Sequence, residues 1–431
     1  MRLGGRLAAA IEILADIEAR YRPAAEALKD WGLSHRFAGS GDRAAIGNIV
    51  YDALRRKRSA AWLFDSDAPR HLAFGAVILE MSETAESVNA AIDGDRFAPD
   101  PLSADEQSLV SVRLASTPPD EVRADSPDWC RQHLEAAFGE AWVEEAAALS
   151  DRPPLDLRVN TLKSDRDKLL RIFARQRAQA AQLAPNAIRI PPVAGAGRHP
   201  NVQAEPAFQK GWFEVQDQGS QIAAQLTGAA PGMRVLDFCA GAGGKTLAMS
   251  AAMENTGQIH AFDAEKQRLA PIFERLKRAG SRNVQATPDR SALKPLHGSM
   301  DIVLVDAPCT GSGTWRRRPD AKWRLTEKQL EQRMAEQSAI LDDAGSFVRP
   351  GGTLVYVTCS VFDEENGKQA AAFRDRNRNF ENADAVAAWQ ASLPAIPVPP
   401  LADRAGGIRM TPHSSDTDGF YVAILKRKTG E

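Results

Sequence analysis

The sequence predicts an α/β protein: a mainly parallel sheet with helices on both faces, preceded by a small α+β module and an all-helical N-terminal domain. Three observations carry that prediction. From Met233 onward, short apolar runs rich in β-branched residues alternate with helical patterns, as successive βαβ units require. Upstream, LDLRVNTLK at 155–163 reads as a strand, followed by the helical stretch SDRDKLLRIFARQ. From about Arg6 to Phe64 apolar residues recur at helical spacing, in LAAAIEILADI and AAIGNIVYDALRRKRSAAWLF, without strand-like alternation.

Taken in order, residues 1–125 form the expected helical domain. Its last part, from Ala91 to about Trp129, is dotted with Pro, Asp and Ser, the composition of exposed connections around short helices. Residues 126–212 then hold linker helices and the α+β module, with a loop-rich connector from Ala184 to Ala207. Residues 213–431 read as strand MRVLDF, helix KTLAMSAAM, strand QIHAFD, helix KQRLAPIFERLKRAG and strands NVQAT and DIVLVD. A helix from about Thr326 to Phe347 and strands TLVYVTC and GFYVAILK complete the series. No internal repeat is present.

A chain of 431 residues exceeds what one core usually organises. Its 43% hydrophobic and 26% charged residues are those of an ordinary soluble protein. The net charge of -2 excludes a global positive field, so phosphates would have to meet local basic patches. No apolar run approaches the roughly 18 residues of a membrane span, and a cytoplasmic location is expected. Cys130, Cys239, Cys309 and Cys359 are too scattered for a disulfide scaffold or a CxxC metal site, so no metal is expected.

VLDFCAGAGGKT places a buried strand directly before a glycine-rich turn that opens a helix. Glycines let the backbone approach a ligand, and the helix start offers free N–H groups. Twenty residues beyond Gly243, Asp263 ends the next strand, where a carboxylate can take two ribose hydroxyls. A phosphate-binding loop needs glycine where Cys239 stands, and a dinucleotide loop needs it at Thr246. S-adenosylmethionine, a nucleoside cofactor without phosphates, fits better. Asp289 and Asp306 close two further strands on the same expected sheet edge.

DIVLVDAPCTGSG sets Asp306, Pro308 and Cys309 just past one strand, and TLVYVTCS sets Thr358 and Cys359 past another. Two thiols beside a cofactor loop suit one reaction. Carbon 5 of cytosine is a poor nucleophile until a thiolate adds at carbon 6 and turns the ring into an enamine. A carboxyl such as Asp306 can assist at ring nitrogen 3, and a second cysteine or a water it holds can remove the carbon 5 proton. Amino-group methylation would favour an Asn/Asp-Pro-Pro-aromatic run, whereas the chain has DAPC.

With VLDFCAGAGGKT, DAPCTGSGTWRRRPDAKWR, YVTCSVFDEENG and RMTPHSSDTDGFYVA in order, the chain closely resembles the RsmB/Sun family of RNA (cytosine-5) methyltransferases. The likeness starts near Ser126 and takes in SPDW, LRVNTLK and VQDQGSQ. It implies a Rossmann-like S-adenosylmethionine-dependent domain with Cys359 as nucleophile and Cys309 assisting product release, while Lys245 and Asp306 help build the active site. The cofactor set it implies is Cys239, Ala240, Gly241, Ala242, Gly243, Gly244, Lys245, Asp263, Arg268, Asp289 and Asp306. One departure is Gly241-Ala242, where the family usually has Ala-Pro; losing a stiff proline is expected to loosen the loop. GSGDRAAIGNIVYDALRRKRSAAWLF looks like the NusB-type RNA-binding domain of the ribosomal branch.

WRRRPDAKWR, at 315–324, follows the Pro-Cys motif with five cations and two tryptophans. Arginines meet phosphates and indoles stack on unpaired bases. Arg316, Arg317, Arg318, Lys322, Trp323 and Arg324 are therefore the expected RNA contacts, with the target cytosine flipped out or in a loop. The expected partner is 16S ribosomal RNA first and transfer RNA second, with no obligate protein partner. A noncatalytic ribosome assembly factor and a small-molecule methyltransferase are the competing readings.

Overall fold

The computed structural model describes residues 1–430 apart from Ala196, Pro397, Val398 and Arg404. The chain forms two compact units. One comprises Met1–Pro153, Pro192–His199 and Trp315–Leu325; the other comprises Pro154–Pro191, Pro200–Thr314 and Thr326–Glu431. The first unit thus runs through the boundary expected at residue 125. Among the described residues no helix is long and apolar enough to cross a membrane.

In the first unit the helices Leu3–Arg20, Ser40–Arg55, Lys57–Phe64 and Pro69–Met81 enclose a core that includes Leu7, Ile13, Ile46, Val50, Phe74 and Val77. Two of them meet where Gly75 faces Ala60, since a Cβ at Gly75 would lie 2.6 Å from that of Ala60. The helix Ala104–Leu114 starts at a capping box in which Ser103 and Glu106 each satisfy the other's backbone N–H. Pro192–His199 joins this unit through Arg152, which donates to the Val193 and Gly195 carbonyls at 2.7 and 2.8 Å.

Trp315–Leu325 corrects the sequence reading. A short helix, Pro319–Arg324, packs Trp323 against the helical core, and its indole N–H donates to the Leu54 carbonyl at 2.6 Å. Lys322 Nζ donates to Ser150 Oγ at 2.8 Å and to the Arg55 carbonyl at 3.3 Å, while Arg55 Nη2 donates to the Arg316 carbonyl at 3.0 Å. Lys322 and Arg316 are only 1% and 2% exposed, so neither offers its charge to a phosphate here. Arg324 is half-buried and paired with Asp320 at 2.9 Å, Arg317 is half-buried, and Arg318 is exposed. The charge pattern and the two tryptophans suggested RNA contacts; the indole and the aliphatic stems instead pack much of the segment into the first unit.

The strands of the second unit are β1 (Leu155–Val159), β2 (Gln179–Ala180), β3 (Ala187–Ile190), β4 (Phe213–Val215), β5 (Arg234–Asp237), β6 (Gln258–Phe262) and β7 (Val284–Thr287). They continue as β8 (Met300–Asp306), β9 (Val348–Thr358), β10 (Phe380–Asn382), β11 (Leu401–Ala402), β12 (Ile408–Met410) and β13 (Phe420–Arg427). A four-stranded antiparallel sheet runs β2-β3-β1-β4 over Leu157, Leu169, Phe173, Ile188 and Phe213. Its β3 lies in the stretch expected to be a loop-rich connector: AIRI is too short to show periodicity and is recruited by pairing with β1.

The larger sheet runs β11-β12-β13-β9-β8-β5-β6-β7, with β10 beside β13. From β9 to β7 every pairing is parallel, whereas β13 and the strands beyond it pair antiparallel. Strand β5 has β6 on one side and β8 on the other, so the winding reverses there. Such a reversal opens a crevice at the carboxyl ends of the strands. The stretch KQRLAPIFERLKRAG is not one helix: it divides into Lys266–Leu269 and Ile272–Ala279 at Pro271, which cannot donate a helical N–H.

Burial pushes the Lys322 ammonium down to about 7 from an ordinary 10.5. A lysine depressed in the folded state leaves the unfolded chain binding the extra proton across that window, so stability rises with pH, by up to about 1.4 kcal/mol per unit. Denaturant melts from pH 7 to 10 are expected to show this rise, and Lys322→Met is expected to flatten it; parallel curves for the two proteins would contradict a buried, neutralised lysine.

Candidate active site

Strand β5 delivers Asp237 to the crevice, and the chain then turns through Cys239–Gly243 into the helix Gly244–Ala252. Gly241 and Gly243 have φ of 49° and 81°, a region that penalises side chains. A Cβ on Gly243 would also stand 2.4 Å from Ile272 Cγ1. The Gly241 N–H donates to Asp263 Oδ2 at 2.9 Å, and the Glu265 N–H to Asp263 Oδ1 at the same distance. Arg268 Nε lies 4.0 Å from Asp263. At Ala242, where the family usually has proline, Arg275 Nη1 donates to the Ala242 carbonyl at 2.7 Å while its Nη2 rests on Glu214 of β4 at 3.0 Å.

Beside this turn lies a cavity of about 450 Å³ whose walls include Gln216, Asp237, Cys239, Ala240, Gly241, Ala242, Gly244, Lys245, Arg268, Arg275 and Asp306. Gln216 is set by Arg158 Nε at 2.6 Å. Asp237 is buried; its Oδ2 accepts from Thr246 Oγ1 at 2.6 Å, whereas Oδ1 has no hydrogen-bond partner. Burial pushes that carboxyl up to about 7, with Asp306 adding to the shift. An orphaned carboxyl oxygen and a close-approach glycine loop fit a cationic nucleoside such as S-adenosylmethionine, whose ammonium and sulfonium need no phosphate cradle.

Asp289 and Cys239, both expected at the cofactor, are placed differently by the structure. Asp289 is exposed and absent from the cavity wall: it caps Arg290–Leu296 by accepting from the Ser291 N–H and hydroxyl, both at 2.8 Å, which hold its carboxyl below the usual range. Its strand, β7, is the edge strand of the sheet. Cys239 lines the wall, but burial pushes its thiol far up, leaving no nucleophilic thiolate.

The thiols meet. Pairing of β8 with β9 sets Asp306 opposite Val357, and beyond that register Cys309 Sγ and Cys359 Sγ lie 3.4 Å apart, both half-buried. The Gly313 N–H donates to the Cys359 carbonyl at 2.9 Å, and Thr358 Oγ1 donates to Asn366 Oδ1 at 2.5 Å, so each loop is fixed. The hydrogen bond with Cys359, then burial, then the charges of Cys359 and Glu365 hold the Cys309 thiol well above its ordinary value. Lys245 Nζ pairs with Asp306 Oδ2 at 2.6 Å and stands 5.1 Å from the Phe420 ring centre. Asp306 thus belongs to the cofactor wall while lying three residues before Cys309 in the chain.

Sequence reasoning missed Asp237, Gln216, Arg275 and Glu365. Asp237 had a visible signal, a carboxylate at the end of an apolar strand directly before the glycine turn. Gln216 and Arg275 reach the site from the α+β module side and from a later helix, and no local pattern marks them.

Residues 225–426 match the family described as 16S rRNA methyltransferase RsmB/F, and residues 126–193 match the ferredoxin-like domain of the RsmF/B-like methyltransferases. Among curated proteins, Ribosomal RNA small subunit methyltransferase B of Enterobacter sp. (strain 638) is 34% identical over 69% of this chain and 66% of its own length. The protein of the same name from Citrobacter koseri is 33% identical over 73% of this chain and 69% of its own length. The matches therefore span about two thirds of these relatives. Among solved structures, a methyltransferase homologue from Pyrococcus horikoshii superposes with a TM-score of 0.58 at 25% identity, over 72% of this chain and 97% of that one. NSun6 from the same organism, solved with the S-adenosylmethionine analogue SFG, shares the fold with a TM-score of 0.61 at 22% identity over 71% and 99% of the two chains.

Gly243→Ala adds a methyl group into Ile272 at a φ of 81°. Titration calorimetry with S-adenosylmethionine is expected to show binding weakened about tenfold or more, since strain and overpacking together cost about 2 kcal/mol or more. Unchanged affinity would mean that the loop does not form the cofactor seat.

Proposed function

Because the chain belongs to the RsmB/Sun family of RNA (cytosine-5) methyltransferases, we propose that it methylates carbon 5 of a cytosine in 16S ribosomal RNA, with Cys359 as the covalent nucleophile. The observation that carries this reading is the pair of sulfurs 3.4 Å apart, joined through the Asp306–Cys309 loop to the cofactor wall. When bound, S-adenosylmethionine supplies an electrophilic methyl group.

The chain's own residues do the rest. Cys359 adds through sulfur to carbon 6 of the cytosine, while Asp306, oriented by Lys245, acts as the acid that gives a proton to ring nitrogen 3 and takes it back when the carbon 6–sulfur bond breaks. Carbon 5 thereby gains the electron density to accept the methyl group. Cys309 then removes the carbon 5 proton, and the Cys359 sulfur leaves with its bonding electrons. Asp237, Asp263 and the Cys239–Lys245 loop hold the cofactor, with Arg268 beside Asp263.

We assign residues 1–125 to a NusB-like RNA-binding domain, 126–212 to a second RNA-binding region and 213–431 to catalysis. The helical core of the first part and the strands β1, β2 and β3 within the second support that division. Of the basic run after the Pro-Cys motif, Arg318 is the exposed member and the one we assign to phosphate contact. A cytoplasmic location accords with a ribosomal RNA substrate.

Labelled S-adenosylmethionine offered with unmodified ribosomal and transfer RNAs, followed by nucleoside analysis, is the test. Wild type is expected to yield 5-methylcytosine in 16S ribosomal RNA. Cys359→Ala is expected to lose about 1,000-fold or more in rate, and Cys309→Ala to accumulate a covalent protein–RNA adduct. Adducts from Cys359→Ala would reverse the two roles, and cofactor binding without transfer to any RNA or ribosomal subunit would favour a noncatalytic assembly factor.

A further inference from the structure

Behind the Cys309 sulfur lies a carboxylate that the scheme above leaves unused. Glu365 ends the turn Asp363–Glu365 and is fully buried. Its Oε1 accepts from the Thr310 backbone N–H at 2.8 Å and from Gln337 Nε2 at 2.9 Å, and its Oε2 accepts from the Thr310 hydroxyl at 2.5 Å. Gln337 Nε2 also donates to the Pro308 carbonyl at 2.9 Å, so the residues on both sides of Cys309 are tied to one carboxylate. Among the described residues, the hydrogen-bond partners of the Glu365 side chain are neutral amide, hydroxyl and backbone groups. No ion pair cancels its charge there. Burial costs this carboxyl energy and raises its pKa, against the pull of those donors. A carboxylate kept buried at such a cost suits a purpose beyond packing.

We propose that Glu365 is a positioning residue for the second thiol: it anchors the turn that carries Cys309 and holds negative charge behind it, so that Cys309 keeps its proton on the Cys359 side until the Cys359 sulfur is bonded to substrate. The titratable groups around the Cys309 sulfur are Cys359 beyond β9, Tyr356 on β9 and Glu365. Tyr356 is itself pinned, its hydroxyl donating to the Glu365 carbonyl at 2.5 Å. In the proposed sequence Cys359 attacks as the thiolate while Cys309, whose thiol is held well above its ordinary value, keeps the proton. Once the Cys359 sulfur forms its bond to carbon 6, its charge and its acceptor role toward Cys309 are both gone. Cys309 then releases its proton to solvent and becomes a thiolate. It takes the carbon 5 proton as the carbon 6–sulfur bond breaks, and the electron pair returns to Cys359. One proton has left and one has replaced it on Cys309, which restores the starting pair and matches the net release of one proton when a methyl cation replaces a ring hydrogen.

This inference rests on the assignment of the two thiols above, but its test does not need RNA. In the full-length protein, alkylation of Cys309 by iodoacetamide is followed against pH by peptide mass spectrometry for wild type, Glu365→Gln and Glu365→Asp. Glu365→Gln keeps the size of the side chain and removes the charge; the midpoint for Cys309 is expected to fall by about one pH unit or more. Glu365→Asp keeps the charge, and its midpoint is expected near that of wild type. Equal midpoints for wild type and Glu365→Gln, or equal falls in both variants, overturn the proposal. Should Glu365→Gln not fold, Thr310→Val removes one hydrogen bond and no charge. A midpoint that falls by a unit in Thr310→Val overturns the role of the charge, and one that stays near wild type supports it. A shifted midpoint in a protein that methylates no RNA would leave the Glu365 assignment standing and overturn the function.

Discussion

The parallel pairing of β8 with β9 is the constraint on which the site depends. Its register sets Asp306 opposite Val357, and every chemically active group on that side of the crevice is counted from there. A slip of one residue would turn each side chain to the opposite face of the sheet. Asp306 would then leave the cofactor wall and the two sulfurs would part. The register is held from within by the apolar run Ile302–Val305 against Thr353–Tyr356, and from beyond the strand ends by the hydrogen bond from Gly313 to the Cys359 carbonyl. Hydrophobic burial therefore decides where the chemistry happens, although none of the residues responsible takes part in it.

Around that frame, charge is arranged by desolvation as much as by pairing. Asp237 and Glu365 are both buried carboxyls with hydrogen-bond donors and no direct ion-pair partner among the described residues. Lys245 and Asp306 form an ion pair. In a site of low dielectric each such group acts over a longer distance than it would in water. The same physics acts on the Cys309 thiol, which the Cys359 hydrogen bond, burial and the charge of Glu365 hold well above its ordinary value.

Much of this was readable in the sequence because it is encoded locally. A positive φ at Gly243, a strand that ends in a carboxylate and a cysteine just past an apolar run each leave a mark within a dozen residues. What escaped was decided by distant partners. Trp315–Arg324 reads as a charged surface until Leu54 and Ser150 are seen receiving Trp323 and Lys322. Four residues of β3 mean nothing without β1 beside them. Asp289 follows a strand in the sequence much as Asp263 does, and only the order of strands shows that β7 is the edge of the sheet. Gly241-Ala242 suggested a loosened loop, yet Arg275 supplies from another helix an anchor for the turn.

The placement of Trp315–Leu325 also bears on how the chain is made. This segment completes the first unit, yet it is reached only after most of the parallel sheet has been synthesised. A nascent chain leaving the ribosome carries its N-terminal helices with an unfilled seat at Leu54, Arg55 and Ser150 until residues far downstream emerge. The N-terminal part is thus finished late rather than first. A fragment cut near residue 154 to isolate the sheet would likewise carry Trp323 and the buried Lys322 with their receptors missing, exposing an indole and an ammonium that the intact chain keeps from water.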